Sequence, residues 1–295
     1  MRYVVLALIA ACGSMETPRP QGTAAPKRPP TDATIAALDA VPLPEHQEFD
    51  DLPTAFRAVI PADARVIGIG ELHARVDRPN VRSSLAAFTE ALPGFGDQVS
   101  DLVVETWVVD PKCGATAVKA TKKIETAVKR PEATKSEITR LAEAAAAAKI
   151  QPHAMTLSCA DYQQIAPAQG AADPIAMLTL TTRELTRIST SAVAYRNKQR
   201  AGGTATRPWI VVYGGALHND RFPGEGVAEW SYAAAADRAT SDHFVELDLI
   251  VPELAEPDEP SQRQAWFPLV AAATKVMVWK RGERSFVMVL PRTKR

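Results

Sequence analysis

A chain of 295 residues with 46% hydrophobic and 23% charged side chains can bury a large core, yet it is long for one domain, so part of it is expected outside the folded unit. Its 34 basic residues balance its 34 acidic ones. That balance argues against a nucleic-acid surface or an electrostatic membrane patch.

At the N-terminus, Arg2 precedes a short apolar stretch that ends in Ile9-Ala10-Ala11-Cys12. The stretch is too short to span a bilayer, which needs about 20 apolar residues, and suits a secretory signal. Ile9 to Cys12 resembles the bacterial lipobox, which implies removal of residues 1–11 and a lipid on Cys12. An ordinary signal or a buried N-terminal strand is the alternative. Residues 13 to about 33 hold Pro18, Pro20, Pro26, Pro29 and Pro30 and offer no apolar periodicity, so 12–45 is expected to be the lipidated cysteine and a tether, and 46–295 a single domain. Loss of Arg2 would leave 33 basic against 34 acidic residues, a charge of −1. Attachment to the membrane would then come from lipid, and the expected location is the bacterial cell envelope.

With Cys12 assigned to lipid, Cys113 and Cys159 remain as an even pair in an oxidising compartment. Each lies a few residues beyond an expected strand, Leu102–Val109 or Gln151–Leu157, so neighbouring loops could join them in a disulfide. Two unpaired buried thiols are the alternative. Their spacing fits no zinc ribbon or Cys-x-x-Cys motif.

From about residue 46 the pattern alternates. Leu52–Ile60 has the spacing of a short helix, and Arg65–Gly70 is a β-branched run expected as a buried strand. Val81–Leu92 has helical spacing stopped by Pro93-Gly94, and Asp101–Val108 is the second strand. Ala115–Arg130 and Glu132–Lys149, parted by Pro131, are two helices, the second carrying an alanine run that favours helix but has no chemistry. Gln151–Leu157 is strand three, and a long helix follows from Asp173 to about Arg200. Arg207–Tyr213 is strand four, Val227–Arg238 a helix and His243–Ile250 strand five. Lys275–Lys280 and Ser285–Leu290 flank Arg281-Gly-Glu-Arg284 as a hairpin. The expected class is α/β, with a mainly parallel sheet flanked by helices on both faces and a C-terminal antiparallel hairpin.

In such sheets ligands bind at the strand carboxyl ends. Strand one delivers Glu71 and His73, strand two Glu105, strand three Asp161 a few residues on, and strand four His218, Asn219 and Asp220. Glu-x-His in an extended segment points both side chains one way, as ligands or an acid/base pair would, although Glu71 could instead cap a helix. Glu105 inside an apolar strand is costly to desolvate unless paired or metal-bound, and a salt bridge to an arginine is its plain alternative. His218 follows two glycines that let backbone or ligand approach, or that only make a turn. Arg75 and Arg78 could hold an anionic group or be solvated. His153 reads as a satisfied core histidine, His46 and His243 as surface residues, and Glu246 and Asp248 as the wet face of an outer strand.

No phosphate loop, no Gly-x-Ser-x-Gly nucleophile elbow and no His-Glu-x-x-His helix occurs, and His73 stands where a dinucleotide fingerprint needs its third glycine. Gly70-Glu71-Leu72-His73, Glu105 and Gly215-Ala216-Leu217-His218, each after a strand, together resemble the scattered motifs of the erythromycin esterase, ChaN and TIKI/TraB superfamily. The nearest variant is the ChaN-like haem-binding lipoproteins, and the resemblance spans roughly residues 62 to 250. It implies an α/β fold with Glu71, His73, Glu105 and His218 gathered at one sheet edge. Ala74-Arg75 and the alanine-rich helical insert depart from the ChaN-like pattern.

Two activities stay open from this resemblance. In a metal-dependent hydrolase, His73, His218 and one of Glu71 or Glu105 hold a divalent ion while the other carboxylate acts as general base, on a small-molecule or peptide substrate. In a haem-binding lipoprotein, His218 or Tyr213 is the axial ligand and Arg75 or Arg78 lies near the propionates. A catalytically inactive envelope lipoprotein that keeps the fold is the third reading.

Overall fold

The computed structural model describes residues 7–8 and 42–293, apart from positions 109, 129 and 205. Cys12 and most of the expected tether therefore lie outside the described residues. Within the segment expected as a signal, Ala7–Leu8 (β1) pairs antiparallel with Trp107 and Val108.

The apolar runs form strands where expected. They are β3 (Val66–Glu71), β4 (Val99–Val108), β5 (Gln151–Thr156), β6 (Trp209–Gly215), β7 (Phe244–Ile250), β8 (Val276–Gly282) and β9 (Ser285–Val289), with a short β2 at Gln47–Phe49. They join into one mixed sheet ordered β4-β6-β3-β7-β9-β8-β2, with β5 on the other side of β4. The ladders from β5 to β9 are parallel, and β8 turns back antiparallel on β9 as the hairpin pattern foretold. The fold is thus α/β, built on a mainly parallel sheet.

Helix starts follow the capping chemistry. Asp51 accepts from Thr54 N ahead of α1 (Leu52–Val59), and Ser83 accepts from Ala86 N ahead of α2 (Ser84–Ala91). The insert folds as α3 (Gly114–Val128) and α4 (Ala133–Ala147), broken at Pro131. Ser158 and Asp161 make a reciprocal capping box for α5 (Cys159–Ile165), and Asp173 with Pro174 starts the 28-residue α6 (Pro174–Ala201). A four-residue turn, α7 (Ala216–Asn219), follows β6. The helix expected from Val227 begins only at Ala233 as α8 (Ala233–Thr240), because Ala228–Trp230 forms a separate 3-10 turn.

Alternate residues of β3 divide the core. Ile67 and Ile69 pack with Phe56, Phe88 and Phe95, whereas Val66 packs with Trp107, Tyr162 and Leu185. A third cluster, centred on Trp266, Phe267 and Leu269, covers part of β8 and β9. Among the described residues no helix is long and apolar enough to cross a membrane.

Two expectations are corrected here. Glu246 and Asp248 are not the wet face of an outer strand, because β7 lies between β3 and β9 and Glu246 is only 1% exposed. Asp161 is structural, since it caps α5 and forms a two-pronged pair with Arg183 at 3.0 Å. Cys113 and Cys159 are joined in a disulfide, Cα atoms 5.2 Å apart, which ties the segment leaving β4 to the start of α5.

Candidate functional site

The carboxyl ends of β3, β4 and β6 converge because their registers coincide: Glu71 lies opposite Gly215, and Val104 opposite Tyr213. Glycine makes this closeness sterically feasible. A Cβ on Gly214 would stand 2.5 Å from Glu105 Oε2, so only glycine leaves room for that carboxylate. A Cβ on Gly70 would stand 2.2 Å from Asp248 Oδ1 and 2.7 Å from the Ala216 backbone. Gly70→Ala is therefore expected to destabilise the protein by about 3 kcal/mol or more, measurable by chemical unfolding, since backbone cannot yield as a flexible side chain can.

Glu71 and His73 form a buried pair, with Nδ1 2.7 Å from Oε1. A carboxylate only accepts, so Nδ1 carries a proton and donates it toward Glu71. Tyr213 donates to the other Glu71 oxygen at 2.5 Å. Burial pushes the Glu71 pKa up, but the His73 hydrogen bond and charge, the Arg130 charge and the Tyr213 bond outweigh it, and the net shift is downward. Both Glu71 oxygens are thus committed to orienting neighbours. His73 Nε2, by contrast, is buried with no hydrogen-bond partner among the described residues.

Glu105 stands at an irregularity of the sheet. Against β5 the register jumps from Val104 to Trp107, which re-aims the residues between them. Its Oε2 accepts from Gly215 N at 2.6 Å, while Oε1 is buried and unpartnered among the described residues. Burial raises the Glu105 pKa, the charges of His73 and Arg130 and the Gly215 bond oppose it, and Glu71 raises it further; the net direction is up. Two carboxylates at one rim are therefore driven apart, Glu71 toward the ionised form and Glu105 toward the protonated one.

His218 is 1% exposed on α7. Its Nδ1 lies 2.8 Å from Trp230 O and 2.9 Å from Thr182 Oγ1. The carbonyl can only accept, so Nδ1 bears the proton. Burial is the main reason its pKa falls to about 4, with the Arg130 charge adding to it and the Trp230 bond opposing it. The sign for stability follows directly. Below the ordinary value of 6.5 the unfolded chain takes up a proton that the folded one refuses, so stability is whole above pH 6.5 and falls between 6.5 and 4. The loss approaches about 3 kcal/mol by pH 4, and a His218→Asn variant is expected to flatten that limb of the unfolding profile.

The remaining expected residues fall into two groups. Arg75 forks onto Asp77 at 3.0 and 3.1 Å in an exposed pair. Asn219 donates to Gly68 O and to Asp248 Oδ1, both at 3.1 Å, and Asp220 pairs with Arg281 at 2.7 Å. His153 binds Asp101 Oδ1 at 2.9 Å alongside Arg196, so it is satisfied, though half-buried. Those partners bring the Asp101 carboxyl down to about 2 despite burial.

Three contributors escaped the sequence reading. Arg130, at the junction of α3 and α4, places its charge within reach of Glu71, Glu105, Tyr213 and His218. Glu137 on α4 accepts from Ser83 Oγ at 2.8 Å, and its pKa is raised by burial and then by Glu71. Asp248 stands behind Gly70, its pKa raised well above normal by burial and by Glu246. The signal for Arg130 was its position just before the helix-breaking Pro131. A cation at a helix junction can turn inward, where one inside a helix stays on its face.

Among the described residues, no three His, Cys, Asp or Glu side chains converge as a metal site. Glu71 spends both oxygens on His73 and Tyr213. For haem, the Tyr213 hydroxyl is bound to Glu71 and His218 is enclosed, so neither presents an axial ligand. The arrangement suits neither group as it stands, but it suits proton transfer. Fold and site together define an α/β protein with a buried His–Glu dyad and a second carboxyl, its pKa raised by burial, at the carboxyl edge of its sheet.

No family model and no curated protein matches the chain. A solved structure, the type III effector HopBA1, is similar at 12% identity with a TM-score of 0.38, covering 84% of this chain and 98% of that one.

Proposed function

We propose that the protein is a hydrolase in which His73, held by Glu71, is the general base and Glu105 the general acid. The observation that carries this reading is the pair of buried unpartnered atoms, His73 Nε2 and Glu105 Oε1, at one strand edge. Glu71 fixes the imidazole tautomer and would stabilise the imidazolium formed when Nε2 takes a proton from water. Glu105 would give its proton to the leaving group, and the Arg130 charge, near enough to act on both Glu71 and Glu105, would stabilise negative charge developing there. We place the chain with the erythromycin esterase, ChaN and TIKI/TraB superfamily, with helices over both faces of its sheet. We further propose that it is exported to the bacterial envelope and anchored by lipid on Cys12. The disulfide supports an oxidising compartment.

The substrate class is an ester or amide of a small molecule or peptide. The test is a panel of chromogenic esters and peptides assayed with and without a chelator, beside a haemin titration. Hydrolysis that survives the chelator and disappears in His73→Ala supports the reading. A Soret shift without hydrolysis would replace it with the haem one.

A further inference from the structure

A polar cavity lies at the opposite end of the sheet from the dyad. It holds about 260 Å³ and is framed by Arg65, Asn197, Arg200, Thr240, Ser241 and His243. These residues precede β3 and β7 or close α6 and α8. Because β3 is six residues long, at about 3.3 Å each, the cavity stands about 20 Å from Glu71.

The charge in it is one-sided. No carboxylate lines it, and among the described residues neither Arg65 nor Arg200 has an acidic partner. Arg200 spends Nη1 on Asn197 Oδ1 at 3.0 Å and Nη2 on Pro208 O at 3.4 Å, both neutral acceptors. Burial lowers the Arg200 pKa, and the positive charges of Arg65 and Arg196 lower it further. Arg196 is neutralised by Asp101, so the uncompensated repulsion is between Arg65 and Arg200. Of the acids beside it in the chain, Asp63 pairs with Arg284 at 2.7 Å and lies 3.3 Å from His243 Nε2, and Asp242, between Ser241 and His243, is exposed and does not line the cavity.

Nearby helix ends do not supply the missing negative charge. The Thr240 carbonyl is taken by His243 Nδ1 at 2.8 Å, and the last carbonyls of α6 accept from Gly202, Gly203 and Thr204. Two guanidiniums from separate elements are thus held in a partly enclosed space, where their repulsion is screened less than in open water. Arginine side chains on an open surface would turn away from each other.

We propose that this cavity binds a small phosphate-bearing ligand, gripped by Arg65 and Arg200. Two fixed positive charges match a dianion, and planar guanidinium forks suit phosphoryl oxygens. The Asn197 amide and the Ser241 hydroxyl add neutral donors on the same wall. At about 260 Å³ the space suits a headgroup or small metabolite and lies below the size of most drug-like pockets. The site is independent of the hydrolytic dyad.

The test is thermal unfolding of the full chain in inorganic phosphate, in acetate and in chloride at matched ionic strength. Phosphate is expected to raise the midpoint and acetate to leave it near the chloride value. Arg65→Gln and Arg200→Gln should each weaken the phosphate response at least about tenfold. In phosphate-free buffer both should unfold at or above the wild-type temperature, because each removes a repulsion. Arg65→Lys, which keeps charge but loses the fork, should fall between. No phosphate-specific rise, or an equal rise in both glutamine variants, would overturn the proposal. Co-sedimentation with phosphatidic acid vesicles then assigns the source: binding lost in Arg65→Gln marks a lipid headgroup, and a phosphate response without sedimentation marks a soluble ligand.

Discussion

Glu71→Gln is expected to lower kcat of the proposed hydrolysis by about 10³ to 10⁴-fold while leaving KM and the fold nearly unchanged. The glutamine amide matches the carboxylate in shape, so Tyr213 and His73 keep a neighbour. What changes is the proton. Glu71 as a carboxylate accepts from Nδ1 at 2.7 Å and leaves Nε2 as the base. An amide NH2 turned toward Nδ1 would donate, move the imidazole proton to Nε2 and leave no lone pair facing the substrate. His73→Ala removes the base outright and should cost a similar factor, and the double variant little more, because the two act as one unit. Tyr213→Phe removes only one of the Glu71 partners and should cost much less. Single-turnover rates on a hydrolysed chromogenic ester would check the series. If Glu71→Gln fell by less than about tenfold while His73→Ala was inactive, Glu71 would be no orienting group, and the dyad reading would fail.

The parallel strands were accessible to reading because buried parallel strands write themselves as continuous β-branched runs, as in Val66 to Ile69 and Trp209 to Val212, whereas their order in the sheet was not. The same logic located the rim, since Glu71, Glu105 and His218 each interrupt or end such a run. It misled at β7. Alternating Glu246 and Asp248 with apolar residues mimics a half-wet strand, and only the sheet order reveals that both carboxyls are interior, where Asn219, Arg221 and Arg281 receive them. The roles within the site were less legible than its place. That His73 is bound to Glu71 through Nδ1, and that Glu105 keeps one oxygen unpartnered, depends on side-chain rotation and on the register jump at Val104 to Trp107. Arg130 was hidden for another reason: its place before Pro131 marks a helix junction, but its relation to Glu71 is one of tertiary distance.

The second large effect concerns the 46-residue separation closed by Cys113 and Cys159. In the chain-entropy account a closed loop of that size removes enough freedom from the unfolded chain to stabilise the fold by about 4 kcal/mol. That is a large part of the roughly 5–15 kcal/mol by which a domain of ordinary stability holds together. The loop contains all of α3, α4 and β5, and with them Arg130 and Glu137. A Cys113→Ser/Cys159→Ser variant is therefore expected to unfold at distinctly lower denaturant, and reductant should shift the wild type the same way while leaving the variant unmoved. Activity should fail earlier still. Loosening α3 and α4 displaces the Arg130 charge from Glu71 and Glu105, so turnover in the variant should decline at denaturant concentrations where near-ultraviolet dichroism still reports a folded core. Equilibrium unfolding paired with rate measurement at each step decides the matter. Superimposed stability curves, within about 1 kcal/mol, would mean that the covalent link leaves the fold unchanged in stability and that packing of α3 and α4 alone holds the insert to the rim.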